Sequence, residues 1–133
     1  MLDLKIVNTF ISGLVSGIIL YQSIIVAATA FKFLETNQVS IFLRSIFPKF
    51  FKFISVFGII SFILNIIFKT HLYLIVISCL TVVLALTCLM IIPKTNRAKD
   101  ENDTSLFQLL HTISVLLTIL ILILNISLIF NFI

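Results

Sequence analysis

Four long stretches of this chain are almost wholly apolar, and short polar connectors separate them. Residues 6–31 carry no charge, and at about 1.5 Å per residue a helix of that length exceeds the roughly 30 Å hydrocarbon core of a bilayer. Residues 48–68, 72–92 and 106–132 have the same character, the last being uncharged from end to end. The pattern predicts four transmembrane helices. The expected architecture is an all-α integral membrane four-helix bundle, antiparallel and up-and-down, occupying residues 1–133 as a single domain.

The connectors differ from one another. Between the first two spans, Glu35, Thr36, Asn37 and Gln38 read as a turn, and Val39, Phe42, Leu43 and Ile46 then recur at the spacing of one helical face. With Ser40, Arg44 and Ser45 off that face, the spacing predicts a short interfacial helix between the first two spans. Pro48 is expected to end that helix and open the second span, because the residue before a proline disfavours helical backbone while proline suits a first turn. Lys49 and Lys52 then reach outward to head groups. Lys69, Thr70 and His71 leave room only for a tight hairpin. Pro93 is expected to close the third span, making 94–105 a mobile hydrophilic loop, and the Ser105 to Gln108 spacing of a capping box marks the start of the fourth helix. The segment before residue 6 is short and weakly basic, unlike the leading part of a signal peptide.

Composition agrees with this reading. Of 133 residues 61% are hydrophobic and 11% charged, and the mean hydropathy is +1.30, more apolar surface than a small soluble domain hides. The net charge of +4 sits beside apolar segments, where it meets anionic lipid rather than nucleic acid. Cys79 and Cys88 lie nine residues apart, about 13 Å along one helix and on opposite faces, so no disulfide joins them.

Four spans place both termini on one side. The basic residues there are Lys5 and Lys69, against Lys32, Arg44, Lys49, Lys52, Lys94, Arg97 and Lys99 on the other. The positive-inside rule makes loops 32–52 and 93–105 cytoplasmic and both termini external, in a bacterial cytoplasmic (inner) membrane.

Small and polar residues fall on narrow stripes. Gly13 and Gly17, repeated one residue earlier by Ser12 and Ser16, form a face that permits close helix approach, as does Gly58. Packing within the chain is favoured over a homo-oligomer or a membrane-protein partner. Gln22 lies near mid-span, Asn65 on the second helix, Cys88 on the third, and His111, Ser114, Thr118 and Asn125 on the fourth. These stripes are expected to face one another as a polar seam, chiefly as hydrogen-bonded ties between helices. His111 is the intramembrane ionisable residue, and with Cys88 and Met90 it makes a thin candidate copper(I) set of imidazole, thiolate and thioether. His71 belongs to the opposite membrane face, which excludes a bis-histidine haem with His111. All five acidic residues lie outside the spans, and no G-x-S-x-G, P-loop or H-E-x-x-H pattern occurs.

The chain resembles the transmembrane protein 205-like domain of bacterial membrane proteins, and more distantly the copper-resistance D proteins. The likeness rests on the glycine-bearing first helix, on Ile46, Phe47, Pro48, Lys49, Phe50 and Phe51 beside that family's L-F-P-x-Y-F, on Pro93, and on Phe107, Leu110, His111 and Ser114 beside its F-x-x-L-H-x-x-S. Phe51 and Thr118 stand where that pattern has a tyrosine and an asparagine. The resemblance implies a four-helix membrane protein without an established biochemical role, with copper as a family-level analogy. The expected function is a non-enzymatic structural or accessory membrane component. The alternative is binding or transport of a small ligand or metal ion through the seam around His111 and Cys88.

The orientation is testable. In a Cys79→Ala, Cys88→Ala background, Asn102→Cys should resist a membrane-impermeant maleimide in intact cells and react once they are opened. Thr70→Cys should react in both; reversed reactivity inverts the assignment.

Overall fold

The computed structural model describes residues 2–130. The first rod comprises α1 (Leu2–Leu20), a π-helical segment (Tyr21–Val26) and α2 (Ala27–Phe33), followed by α3 (Thr36–Ile67), α4 (Leu72–Asp100) and α5 (Thr104–Phe130). No strand occurs among the described residues, and four rods, beginning with Leu4–Phe33, are long and apolar enough to cross a membrane. Residues 131 and 132, the end of the expected fourth span, lie outside the described part.

Two expected breaks are absent. The run from Val39 to Ile46 is helical, but it forms the first turns of α3 and not a separate interfacial helix, because the helix continues through Pro48. Likewise α4 passes through Pro93 and carries Lys94 to Asp100 with it, so the expected mobile loop shrinks to Glu101, Asn102 and Asp103. In water an internal proline costs a helix about 3 kcal/mol. Against apolar surroundings, a break would leave further backbone groups unbonded, and that costs more. Tertiary contacts hold both extensions. Phe47, Phe50 and Phe51 flank Pro48 and pack on one another, with ring centroids 6.4, 6.4 and 4.9 Å apart. Beyond Pro93, Ala98 is buried, and Arg44 of α3 forks onto Asp100, with Nη1 donating to Oδ2 at 3.2 Å and Nη2 to Oδ1.

Helix ends follow known capping chemistry. Glu35 and Gln38 form a reciprocal capping box on α3. At α5 the cap is Asp103, whose Oδ1 accepts from Leu106 N–H at 3.0 Å, in place of the expected Ser105 to Gln108 box. Both α3 and α4 end in Schellman turns: Lys69 (φ 49°) and Asn102 (φ 56°) adopt left-handed backbone, and Thr70 N–H reaches Asn65 O while Asp103 N–H reaches Ala98 O.

In the bundle α1 packs chiefly on α5, α5 on α4, and α4 on α3. The core includes Ile11, Val15, Ile19, Phe51, Ile54, Ala85, Cys88 and Ile121. Gly58 provides the close approach. A Cβ there would sit 2.9 Å from Val82 Cγ2 and 3.3 Å from Thr81 Cγ2. Gly13 and Gly17 do not serve this purpose within the chain, since a Cβ on either meets nothing within 4 Å. The serines of that motif turn inward instead, Ser12 and Ser16 being buried, because a step of one residue rotates a side chain by about 100°.

Polar ties secure the end of the bundle near the termini. Asn8 Nδ2 donates to Asn65 Oδ1 at 3.0 Å and Asn65 Nδ2 to Asn8 Oδ1 at 3.1 Å. Ser61 Oγ adds a bond to Asn8 Oδ1 at 2.9 Å, and Thr70 Oγ1 one to Asn65 Oδ1 at 3.0 Å. Asn125 Nδ2 joins α5 to α4 through Thr81 Oγ1 at 3.0 Å and also donates to Ile121 O. Without water in hydrocarbon, these groups have only one another.

Gly58→Leu should lower stability in detergent by about 1–3 kcal/mol by overpacking, whereas Gly17→Leu should stay within about 0.5 kcal/mol of wild type; thermal unfolding monitored by circular dichroism reads both. Asn65→Ala should cost about 1–3 kcal/mol by removing the buried bonds that its amide makes with Asn8, Ser61 and Thr70. Combined with Asn8→Ala it should cost clearly less than the sum of the two single changes, as coupled partners do.

Candidate ligand cavity

The expected seam divides into two unlike parts. Asn65 and Asn125 are engaged in the ties just described. Gln22, His111, Ser114 and Thr118 line a cavity of about 690 Å³ at the other end, between the π segment and α2, the first half of α3, the end of α4 and the stretch of α5 from Phe107 to Leu122. That volume falls within the roughly 300–1,000 Å³ typical of ligand pockets.

The π segment shapes one wall. Its wide turn, closed by Ala27 N–H on Gln22 O, inserts an extra residue and re-aims the side chains that follow; such segments cluster at functional sites. Gln22 is 6% exposed and lines the cavity, and its Nε2 has no hydrogen-bond partner. A buried amide that donates to nothing costs about 1–3 kcal/mol. Ser16 Oγ and Arg44 Nε share this condition, and Arg44 also lines the cavity. Its guanidinium spends both Nη atoms on Asp100 and on Asn96 O, leaving Nε without an acceptor.

The two threonine hydroxyls in the wall are engaged with their own helices. Thr118 Oγ1 donates to Ser114 O at 2.7 Å and Thr95 Oγ1 to Ile91 O at 3.1 Å. His111 stacks on Phe107, with centroids 6.0 Å apart and planes 7° from parallel, and Lys99 Nζ lies 5.5 Å from the centroid of the same Phe107 ring. The deeper lining is apolar, with Ile19, Phe47, Phe50, Phe51 and Leu122.

The residues proposed for copper are not gathered here. Cys88 is fully buried between α4 and α5, its thiol 3.8 Å from Ser114 O, and it does not line the cavity that holds His111. Met90 is 76% exposed. Among the described residues no group of three His, Cys, Asp or Glu is placed to hold a metal ion. Cys79 and Cys88 are both free thiols.

Three participants were not singled out from the sequence. Asn8 had a usable signal, standing four residues before Ser12 and eight before Ser16 on one helical face. From the sequence Arg44 and Lys99 are head-group charges, because their place in a cavity wall depends on helices continuing past Pro48 and Pro93.

Nothing matches the chain among curated proteins or among solved structures. A family model does, that of a domain of unknown function, DUF4149, over residues 10–104. The matched region runs from the first rod through α3 and α4 to the start of α5, taking in Gln22, Arg44 and Lys99, and does not extend to His111. With well over half of its length matched, this four-helix membrane chain belongs to the DUF4149 family.

Proposed function

We propose that this protein is a non-enzymatic accessory component of the bacterial cytoplasmic membrane that holds a small amphipathic ligand in the cavity on its cytoplasmic side. The observation that carries the reading is the unpartnered Gln22 Nε2, 94% buried by residue exposure, in the wall of a 690 Å³ space that is otherwise largely apolar. A helix bundle that pairs the amides of Asn8 and Asn65 on both sides yet leaves the Gln22 donor beside a cavity has a place for an acceptor that is not part of the chain.

The non-enzymatic assignment draws on the chemistry of the same wall. A nucleophile needs a base within hydrogen-bond reach. Thr118 and Thr95 donate instead to backbone carbonyls of their own helices, and His111 lies flat against Phe107. The cytoplasmic placement draws on the seven basic residues of the two connecting regions.

Native mass spectrometry of the protein released from mild detergent checks the reading. Wild type should carry one small amphiphile per chain. Ser114→Phe and Ala27→Phe, which fill the space from two different walls, should each reduce that adduct by about tenfold or more, corresponding to at least 1.4 kcal/mol. Retained helicity confirms that the variants are folded. An adduct unaffected by both substitutions, or none in wild type, defeats the proposal.

A further inference from the structure

Resting on that reading, the chemistry of the walls names a ligand class: we infer that the cavity takes one anionic glycerophospholipid, its phosphate at Arg44 and Lys99 and an ester carbonyl at Gln22 Nε2.

Charge supplies the first argument. Among the residues lining the cavity the two charged ones, Arg44 and Lys99, are both cationic. The acid that faces Arg44 is Asp100 of α4, and it takes the two Nη atoms, leaving Nε buried and without an acceptor. Lys99, one residue earlier on α4, rests its ammonium on Phe107, where a cation stays available to an anion. Both cations stand at the end of the bundle where α4 finishes and α5 begins. A phosphate from the cytoplasmic leaflet lies at that level, and charge-assisted bonds from a guanidinium and an ammonium are the strong kind.

Depth supplies the second. From Lys99 back to Ile92 the α4 wall descends about 10 Å, and from Phe107 to Leu122 the α5 wall descends about 22 Å at 1.5 Å per residue. Below the cations the lining turns apolar, with Phe47, Phe51, Ile19 and Leu122. On the first rod Gln22 and Ser23 both border the cavity at this depth, and of the two it is Gln22 that is buried with a donor lacking an acceptor. A simple hydrocarbon chain leaves that amide unpaired. A lipid with an ester carbonyl beneath its phosphate satisfies it, and one acyl chain fills the space below while the second remains in the bilayer.

The test uses the full chain in nanodiscs with four lipids of matched chains: diester phosphatidylglycerol, its diether analogue without carbonyls, diester phosphatidylcholine and the diether phosphatidylcholine. Native mass spectrometry after ejection from the disc reads which lipid remains on the protein. Wild type should prefer phosphatidylglycerol over phosphatidylcholine, and diester over diether. Lys99→Gln, which leaves the Arg44–Asp100 tie in place, should reduce the head-group preference about fivefold and spare the ester preference. Gln22→Leu should do the converse, losing about fivefold of the ester preference. Because each readout is a ratio within one sample, a general loss of folding does not imitate it. Equal retention of the two head groups, or preferences that neither substitution moves, overturns the lipid assignment. A neutral amphiphile that Ser114→Phe displaces would overturn it too while sustaining the cavity reading; a wild-type chain with no adduct at all ends both.

Discussion

Hydrocarbon offers no hydrogen bonds, and most features of this molecule follow from that one constraint. In water a helix that meets a proline can stop, because solvent satisfies the freed groups. Here α3 runs through Pro48 and α4 through Pro93, since each further unpaired amide in an apolar medium costs several kcal/mol. The same constraint drives Asn8, Ser61, Asn65 and Thr70 into one mutual set of bonds and Asn125 onto Thr81. It is also what makes the unpartnered donor of Gln22 conspicuous.

The two ends of the bundle are built on different terms. Toward the termini, paired asparagines bind α1 to α3 and Gly58 lets α3 lie close against α4. Toward the connectors at 34–35 and 101–103, the π segment widens the first rod, the phenylalanines around Pro48 occupy one side, and the rods border a partly open cavity. The Arg44–Asp100 pair keeps α3 and α4 together at its rim. Its partners are 34% and 60% exposed, so solvent screening leaves it a small contribution to stability. Its larger consequence is geometric, since it holds Arg44 at the cavity wall.

Much of the architecture was legible along the chain, and the exceptions share a cause. The four rods and the tight Lys69–His71 hairpin were readable from the lengths of the apolar runs and of the polar breaks between them. Local rules failed where a distant contact outweighed them. Pro93 reads as a stop until Ala98 is buried and Asp100 meets Arg44, fifty-six positions away in sequence. Gly13 and Gly17 form a sound close-packing motif, yet close approach needs a neighbour on that face, and in this chain Gly58 has one and they do not. Spacing assigns polar residues to helical faces, but it cannot tell a paired asparagine from an unpaired glutamine.

By itself the sequence determined the number of rods, their apolar character and their charge asymmetry, because these depend only on how long an uncharged run is compared with a bilayer and where its lysines and arginines fall. The tertiary structure decided which polar groups meet. Whether Gln22, Asn65 and His111 bond to the chain or border a cavity depends on which side chain of another helix stands opposite, and that is set by helix register and by the π segment, neither of which is written in any local window of residues.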